Sequence, residues 1–216
     1  MSPTASARAP SVILLRVAGT EKAVRAAGPG DAVWTDAVRD RARELGVLGW
    51  VRADDDGVVR VHAEGPAGAV DDVVALLGDG ATAERVKREG HEQFAVRGVP
   101  AGRFVVEEHA GTQHQFVLGL EVAGVLRTWT VPKGPSLDPA AKRFAVEGGD
   151  PGAGAVWDEG AYEQGGRVPW PEAIDRGHAV FVLHGERLRG GWALQRTRSG
   201  WLLVKRRDEH ARPGAA

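Results

Sequence analysis

A chain of 216 residues has room for one large domain or two small ones, and 28 Lys plus Arg against 29 Asp plus Glu argues against the broad basic field of a non-specific nucleic-acid binder. The absence of cysteine excludes a disulfide framework, a thiolate metal site and a thiol nucleophile, so any metal falls to His, Asp or Glu. The longest apolar runs, such as Val12 to Leu15, fall far short of the ~20 residues of a membrane span, and the start lacks a signal peptide's apolar core, so the chain reads as soluble and cytoplasmic with no membrane partner.

Residues 1–10 are small, polar and proline-bearing and read as a disordered lead-in. Ser11 to Ala18 reads as a buried strand, and 19–30, broken by Gly28-Pro29-Gly30, as a loop. From Asp31 the spacing of Trp34, Val38, Ala42 and Leu45 predicts an amphipathic helix that Gly46 ends. Gly49 to Arg52, an Asp-Gly turn and Val58 to Glu64 predict a hairpin, with Val59, Val61 and Ala63 alternating against Arg60, His62 and Glu64. Val70, Val73, Val74 and Leu77 mark a second helix, and a further strand falls within 82–96. The order is βαββαβ, an α+β ferredoxin-like unit in which two helices cover one face of a four-stranded antiparallel sheet.

After about residue 97 the grammar changes. Short β-rich runs (104–107, 116–122, 125–131, 144–147, 155–158, 179–184, 192–197 and 201–206) are separated by Gly, Pro and Asp, with one short helical stretch at 171–176. Many short strands with turn signals predict an all-β antiparallel barrel or sandwich, the barrel first. The expected organisation is a lead-in at 1–10, an α+β domain at 11–97, a β-barrel domain at 98–211 and a tail at 212–216. In the last strands Lys205, Arg206 and Arg207 with Arg187, Arg189, Arg196 and Arg198 form a candidate basic stripe for phosphates.

The stretch ARELGVLGWVRADDDGVVRVHAEGPAGAVDDVVALL (42–77) resembles the acylphosphatase family. That resemblance implies a phosphate cradled between the first strand and first helix, bound by an Arg, with an Asn orienting the attacking water. Counting back from Gly49 puts Thr35 at the Arg, Ala53 stands at the Asn of the motif, and neither side chain does that work. The cradle loop reads as lengthened, with Lys22 and Arg25 as its basic residues. The implied fold is retained and the implied activity lost.

Residues 103–147 and 177–211, with WTVPKGPSLDPAAKRFAV and GHAVFVLHGERLRGGWALQR at their centres, resemble the 3′-phosphoesterase domain of bacterial DNA ligase D. The resemblance implies trimming of DNA 3′ ends with manganese held by two His and an Asp in the pattern H-x5-H-x-D-x-R. His109 stands at the first position, and the ungapped register puts Gln115, Val117 and Gly119 at the other three. His114 replaces the second His only through a bulge that shifts the strand by one residue. Lys133 and Arg143 match phosphate-binding positions, and His109 with Arg143 are the candidate catalytic pair. A loop that carries a further His in that family shrinks here to 148–154, and His184 reads as structural. Manganese or another divalent ion is therefore expected to be weakly held or absent.

The leading expectation is a fused protein with both inherited sites degenerate, binding DNA ends, an end-joining repair protein or a phosphorylated ligand. Two alternatives stand beside it. One is an active phosphoesterase rebuilt around His109, His114 and Arg143; the other is a small-molecule or regulatory binding protein.

Overall fold

The computed structural model describes residues 21–29, 32–54, 57–111 and 114–214. The expected lead-in and the expected strand at 11–18 lie outside them. Two compact units divide the chain at Gly98 and Val99. No helix among the described residues is long and apolar enough to cross a membrane.

The first unit runs β1 (Glu21–Pro29), α1 (Ala32–Glu44), β2 (Leu48–Ala53), β3 (Val58–Pro66), α2 (Ala67–Ala75), β4 (Thr82–Val86) and β5 (Phe94–Arg97). The segment expected to be a loop at 19–30 is instead a strand of the sheet, paired with β3 from Glu21 to Pro29 and with β4. Small residues hid it. Val24, Ala26 and Gly28 are buried along one face, and Gly28, read as a breaker, is where the strand runs close under the turn that follows α2, since a Cβ there would lie 2.8 Å from the Leu77 carbonyl oxygen. Among the described residues the sheet has five strands, in the order β4-β1-β3-β2-β5, and β5 joins parallel to β2.

The helices cover the face that carries Val59, Val61 and Ala63, and Val38, Ala42, Val70, Val73 and Leu77 complete that core. The opposite face of β3 carries the alternating polar residues Arg60, His62 and Glu64. It is closed: His62 and Glu64 are both fully buried, because the connection between β4 and β5 folds back over them.

The second unit is a closed antiparallel barrel. It comprises β6 (Gly102–His109), β7 (Gln115–Val122), β8 (Val125–Val131), β9 (Arg143–Glu147), β10 (Ala155–Gln164), α3 (Glu172–Asp175), β11 (His178–His184), β12 (Arg189–Arg196) and β13 (Trp201–Lys205). The strand order is β10-β11-β12-β13-β9-β8-β7-β6, and β10 closes the barrel on β6. Closure leaves no edge strand to be guarded. Phe104, Val106, Leu118, Leu120, Trp129, Phe181, Trp192, Trp201 and Leu203 fill the interior, with the Trp129 and Trp201 rings edge to face at 5.9 Å.

Candidate functional site

In the first unit the ungapped acylphosphatase register points to Thr35 and Ala53. Thr35 lies in α1 at 2% exposure, and Ala53 ends β2 opposite Val59. The cradle is not lengthened: β1 ends at Pro29 and α1 begins at Ala32. Lys22 and Arg25 belong to β1 rather than to a loop, an odd number of residues apart and hence on opposite faces. Lys22 is paired with Asp71 on α2 and Arg25 with Glu89 at 3.3 Å. Neither is gathered into a phosphate cradle.

In the second unit the expected alternation places the four pattern positions on one face. Phe104, Val106, Leu118 and Leu120 point into the barrel, so Val105, Glu107 and His109 of β6 and Gln115, Val117 and Gly119 of β7 point outward. The register sets His109 opposite Gln115, Glu107 opposite Val117 and Val105 opposite Gly119.

The shortened segment 148–154 lies across this face. Gly152 N–H donates to both Glu107 carboxylate oxygens at 2.8 Å, and Gly154 N–H reaches one of them at 3.4 Å. Thr130 Oγ1 donates to the Gly148 carbonyl at 3.0 Å, while the Thr128 carbonyl accepts from Gly148 N–H at 2.8 Å. Its glycines permit the close approach: a Cβ on Gly149 would come within 2.9 Å of Val117, and one on Gly154 within 2.5 Å of the His109 ring. His109 Nε2 is buried without a hydrogen bond, 3.4 Å from a Glu107 oxygen.

A resident divalent ion is tested by this donor set. One imidazole, the Gln115 amide and a carboxylate already engaged by two backbone amides face an apolar Val117 and a backbone packed on top. A hard or borderline cation gives up its water only for several available donors, so the set does not fit the group that the ligase D resemblance implies.

The remaining expected site residues are dispersed. His114 Nε2 meets Glu108 at 2.6 Å, and its ring packs edge-on against Phe116 at 5.1 Å. Because Glu107 and Glu108 are successive strand residues, His109 and His114 face opposite sides of the barrel wall. Arg143 begins β9 opposite Leu203, in phase with the core residue Ala145 and with its Nε buried without a partner, whereas Lys133 is exposed on the turn after β8. His184 pairs with Glu163 at 2.6 Å.

Of the expected basic stripe, Arg187, Arg189, Arg196, Arg198, Arg206 and Arg207 are exposed, and Lys205 alone is buried. Lys205 points inward, its Nζ donating to Asp208 at 2.6 Å and to the Gly191 carbonyl at 3.1 Å. Arg196 stacks on Trp201 and donates to the Asp175 carbonyl, and Arg187 stacks on Trp157. Among the described residues the cluster of three or more His, Asp or Glu side chains with atoms in joint reach of one ion is His62, Glu64 and His91, in the first unit. The pattern His-x-Glu on one strand face was its signal in the sequence; the closing His91 lies 27 residues further on.

The Acylphosphatase family profile matches residues 33–100. An acylphosphatase from Salinibacter ruber is 40% identical over 72 residues, which cover 32% of this chain and 76% of that protein. The chain belongs to the acylphosphatase family. Its other likeness is to the multifunctional non-homologous end joining protein LigD: 40% identity over 134 residues with the Pseudomonas aeruginosa protein and 34% over 136 with that of Mycolicibacterium smegmatis. Each covers 51% of this chain, and the chain spans 16% and 18% of those two proteins. An acylphosphatase domain is thus fused to a LigD-like region.

The carboxylate that seats segment 148–154 supplies a direct check. Glu107→Ala removes the acceptor of two backbone N–H groups, and hydrogen bonds to a charged group are worth about 1.5–3 kcal/mol. A barrel destabilised by about 2 kcal/mol in urea unfolding, with faster amide exchange at Gly152 and Gly154, is the expected outcome.

Proposed function

We propose that this protein acts by binding rather than by catalysis, with the LigD-like barrel and the acylphosphatase domain both retaining their frames and losing their inherited active sites. The observation that carries the reading is the 148–154 segment seated across the outward face of β6 and β7. It occupies Glu107 and packs on Val117 where a metal-holding carboxylate is expected. Thr35 and Ala53 support the same conclusion in the other unit, since neither supplies the fixed cationic fork or the amide that acyl-phosphate hydrolysis asks for.

The partner class follows from the LigD relatives, which are named for end joining: DNA ends or an end-joining repair protein. The formal charge of −1 and the inward Lys205 favour a few specific contacts over a broad electrostatic field. The rebuilt-site reading is disfavoured by the opposite facing of His109 and His114.

The test uses the full chain. With manganese, a primer ending in a 3′-phosphate is expected to release no phosphate above background, and benzoyl phosphate is expected to be stable, while a labelled duplex end gives salt-sensitive anisotropy. Manganese-dependent phosphate release that His109→Ala abolishes would falsify the loss of catalysis. Thermal stabilisation by a phosphorylated small molecule without any DNA affinity would instead assign the protein to ligand binding.

A further inference from the structure

Behind the sheet of the first unit, on the face away from α1 and α2, lies a closed polar cluster that neither inherited site uses. His62 and Glu64 alternate along β3 and so project from the same face. His91 reaches them from residues 87–93, between β4 and β5. Ligating atoms of the three side chains lie within 4.8 Å of one another, and the three residues are 0%, 0% and 4% exposed.

The cluster is under-satisfied as it stands. His62 Nε2 and Glu64 Oε1 are 2.7 Å apart, yet His62 Nδ1 is buried with no hydrogen-bond partner. Whichever ring nitrogen carries the proton, one polar atom of a fully buried imidazole is left unpaired, and burial of such an atom is costly. The ring is held by stacking on Trp50 at 6.2 Å and by His91, whose ring centroid is 5.2 Å away. Glu64 is oriented by the backbone N–H groups of Glu89 and Gly90 at 2.6 and 3.1 Å. A second carboxylate, that of Glu89, stands 3.2 Å from His91 Nε2 at the solvent rim.

We propose that His62, Glu64 and His91 form a binding site for a borderline divalent cation of the zinc class, with Glu89 or a water as the fourth donor, and that the ion fastens residues 87–93 over the open face of the sheet. Two imidazoles and a carboxylate are a donor set that zinc accepts, and its bonds of about 2.0–2.1 Å place tetrahedral donors roughly 3.3 Å apart. Reaching that spacing takes a small contraction of the cluster and a small opening of the His62–Glu64 contact. The ion replaces the proton between those two side chains, which leaves to solvent. Glu64 keeps its backbone donors as outer support, the arrangement that orients ligands in metal sites. The opposing charges are Arg88, whose Nε is 3.8 Å from Glu64 and which is already paired with Glu21, and Arg97, which stacks on Trp50 and acts on His91.

The experiment titrates the full chain with zinc chloride in a calorimeter and with cobalt chloride as a visible probe. One equivalent is expected to bind, the cobalt form showing the absorption of a four-coordinate nitrogen and oxygen site. His91→Gln is expected to weaken binding by at least about 10-fold, since even outer-shell substitutions cost 10–100-fold. His178→Ala, at an exposed position of the barrel, leaves it unchanged. No stoichiometric uptake, or equal uptake by His91→Gln, overturns the proposal. Should that variant fail to fold, histidine-ring NMR of the unaltered protein decides: zinc shifts the resonances of His62 and His91 if the site exists, and shifts confined to the other histidines refute it.

Discussion

Asp208→Ala is expected to lower the stability of the barrel by about 3–5 kcal/mol, the range for removing one partner of a buried ion pair. Lys205 is fully buried, and its ammonium is held by both Asp208 oxygens at 2.6 Å, with the Gly191 and Arg206 carbonyls completing its bonds. Without the carboxylate an uncompensated cation remains inside the barrel, and the Gly191 and His210 N–H groups lose their acceptor as well. Urea unfolding followed by tryptophan fluorescence reads this directly, because five of the seven tryptophans lie in the barrel unit. Lys205→Met with Asp208→Ala is expected to recover part of the loss, since no unpaired charge remains.

The same pair sets a pH dependence. Burial pushes the Asp208 carboxyl up, but the Lys205 hydrogen bond and charge and the Gly191 N–H outweigh it, so the group titrates below its ordinary value of 3.8. A depressed folded-state value means that its stabilisation is fully present above the unfolded value and is lost as pH falls through the folded one. Acid unfolding below about pH 4 should therefore be steeper in the unaltered protein than in Asp208→Ala. Parallel acid limbs for the two would remove Asp208 from the account.

Gly49→Ala is expected to cost the first unit about 3–5 kcal/mol, combining backbone strain with overpacking. Gly49 has φ +135°, and an added Cβ would sit 1.9 Å from the His62 carbonyl oxygen, across the β2–β3 ladder that spans the acylphosphatase GWV motif. Relief comes only by separating the two strands, which also moves His62. Gly46→Ala is the control: its φ is +66° with nothing within 4 Å, so it carries only the left-handed penalty of about 1–2 kcal/mol. Equal costs for the two variants, measured by circular dichroism in urea, would show that the close approach does not matter.

Most strands of the barrel were readable from local pattern. Val125 to Val131 was bounded as it stands in the structure, and the others differ mainly at their ends, because turns rich in Gly, Pro and Asp separate short alternating runs. The hairpin of β2 and β3 and both long helices were equally plain from their periodicities. β1 was not, since Ala and Gly carry little hydrophobic signal and Gly28-Pro29 imitates a turn where the strand in fact passes close under the turn that follows α2. The parallel β5 was missed because its pairing with β2 depends on a connection that returns over the sheet.

Composition and spacing alone excluded thiol chemistry and, in ungapped registers, set Thr35 and Ala53 in one family pattern and Gln115, Val117 and Gly119 in the other. They also placed the outward face of β6 and β7, because a period of two is a local property of a strand. What lies on that face was decided by tertiary structure, where Glu107 draws the amides of Gly152 and Gly154 across a gap of more than forty residues. The inward turn of Lys205 and the burial of His62 and Glu64 beneath residues 87–93 have the same origin. Burial of a polar side chain depends on which distant segment covers it, and the alternation of a strand carries no record of that segment.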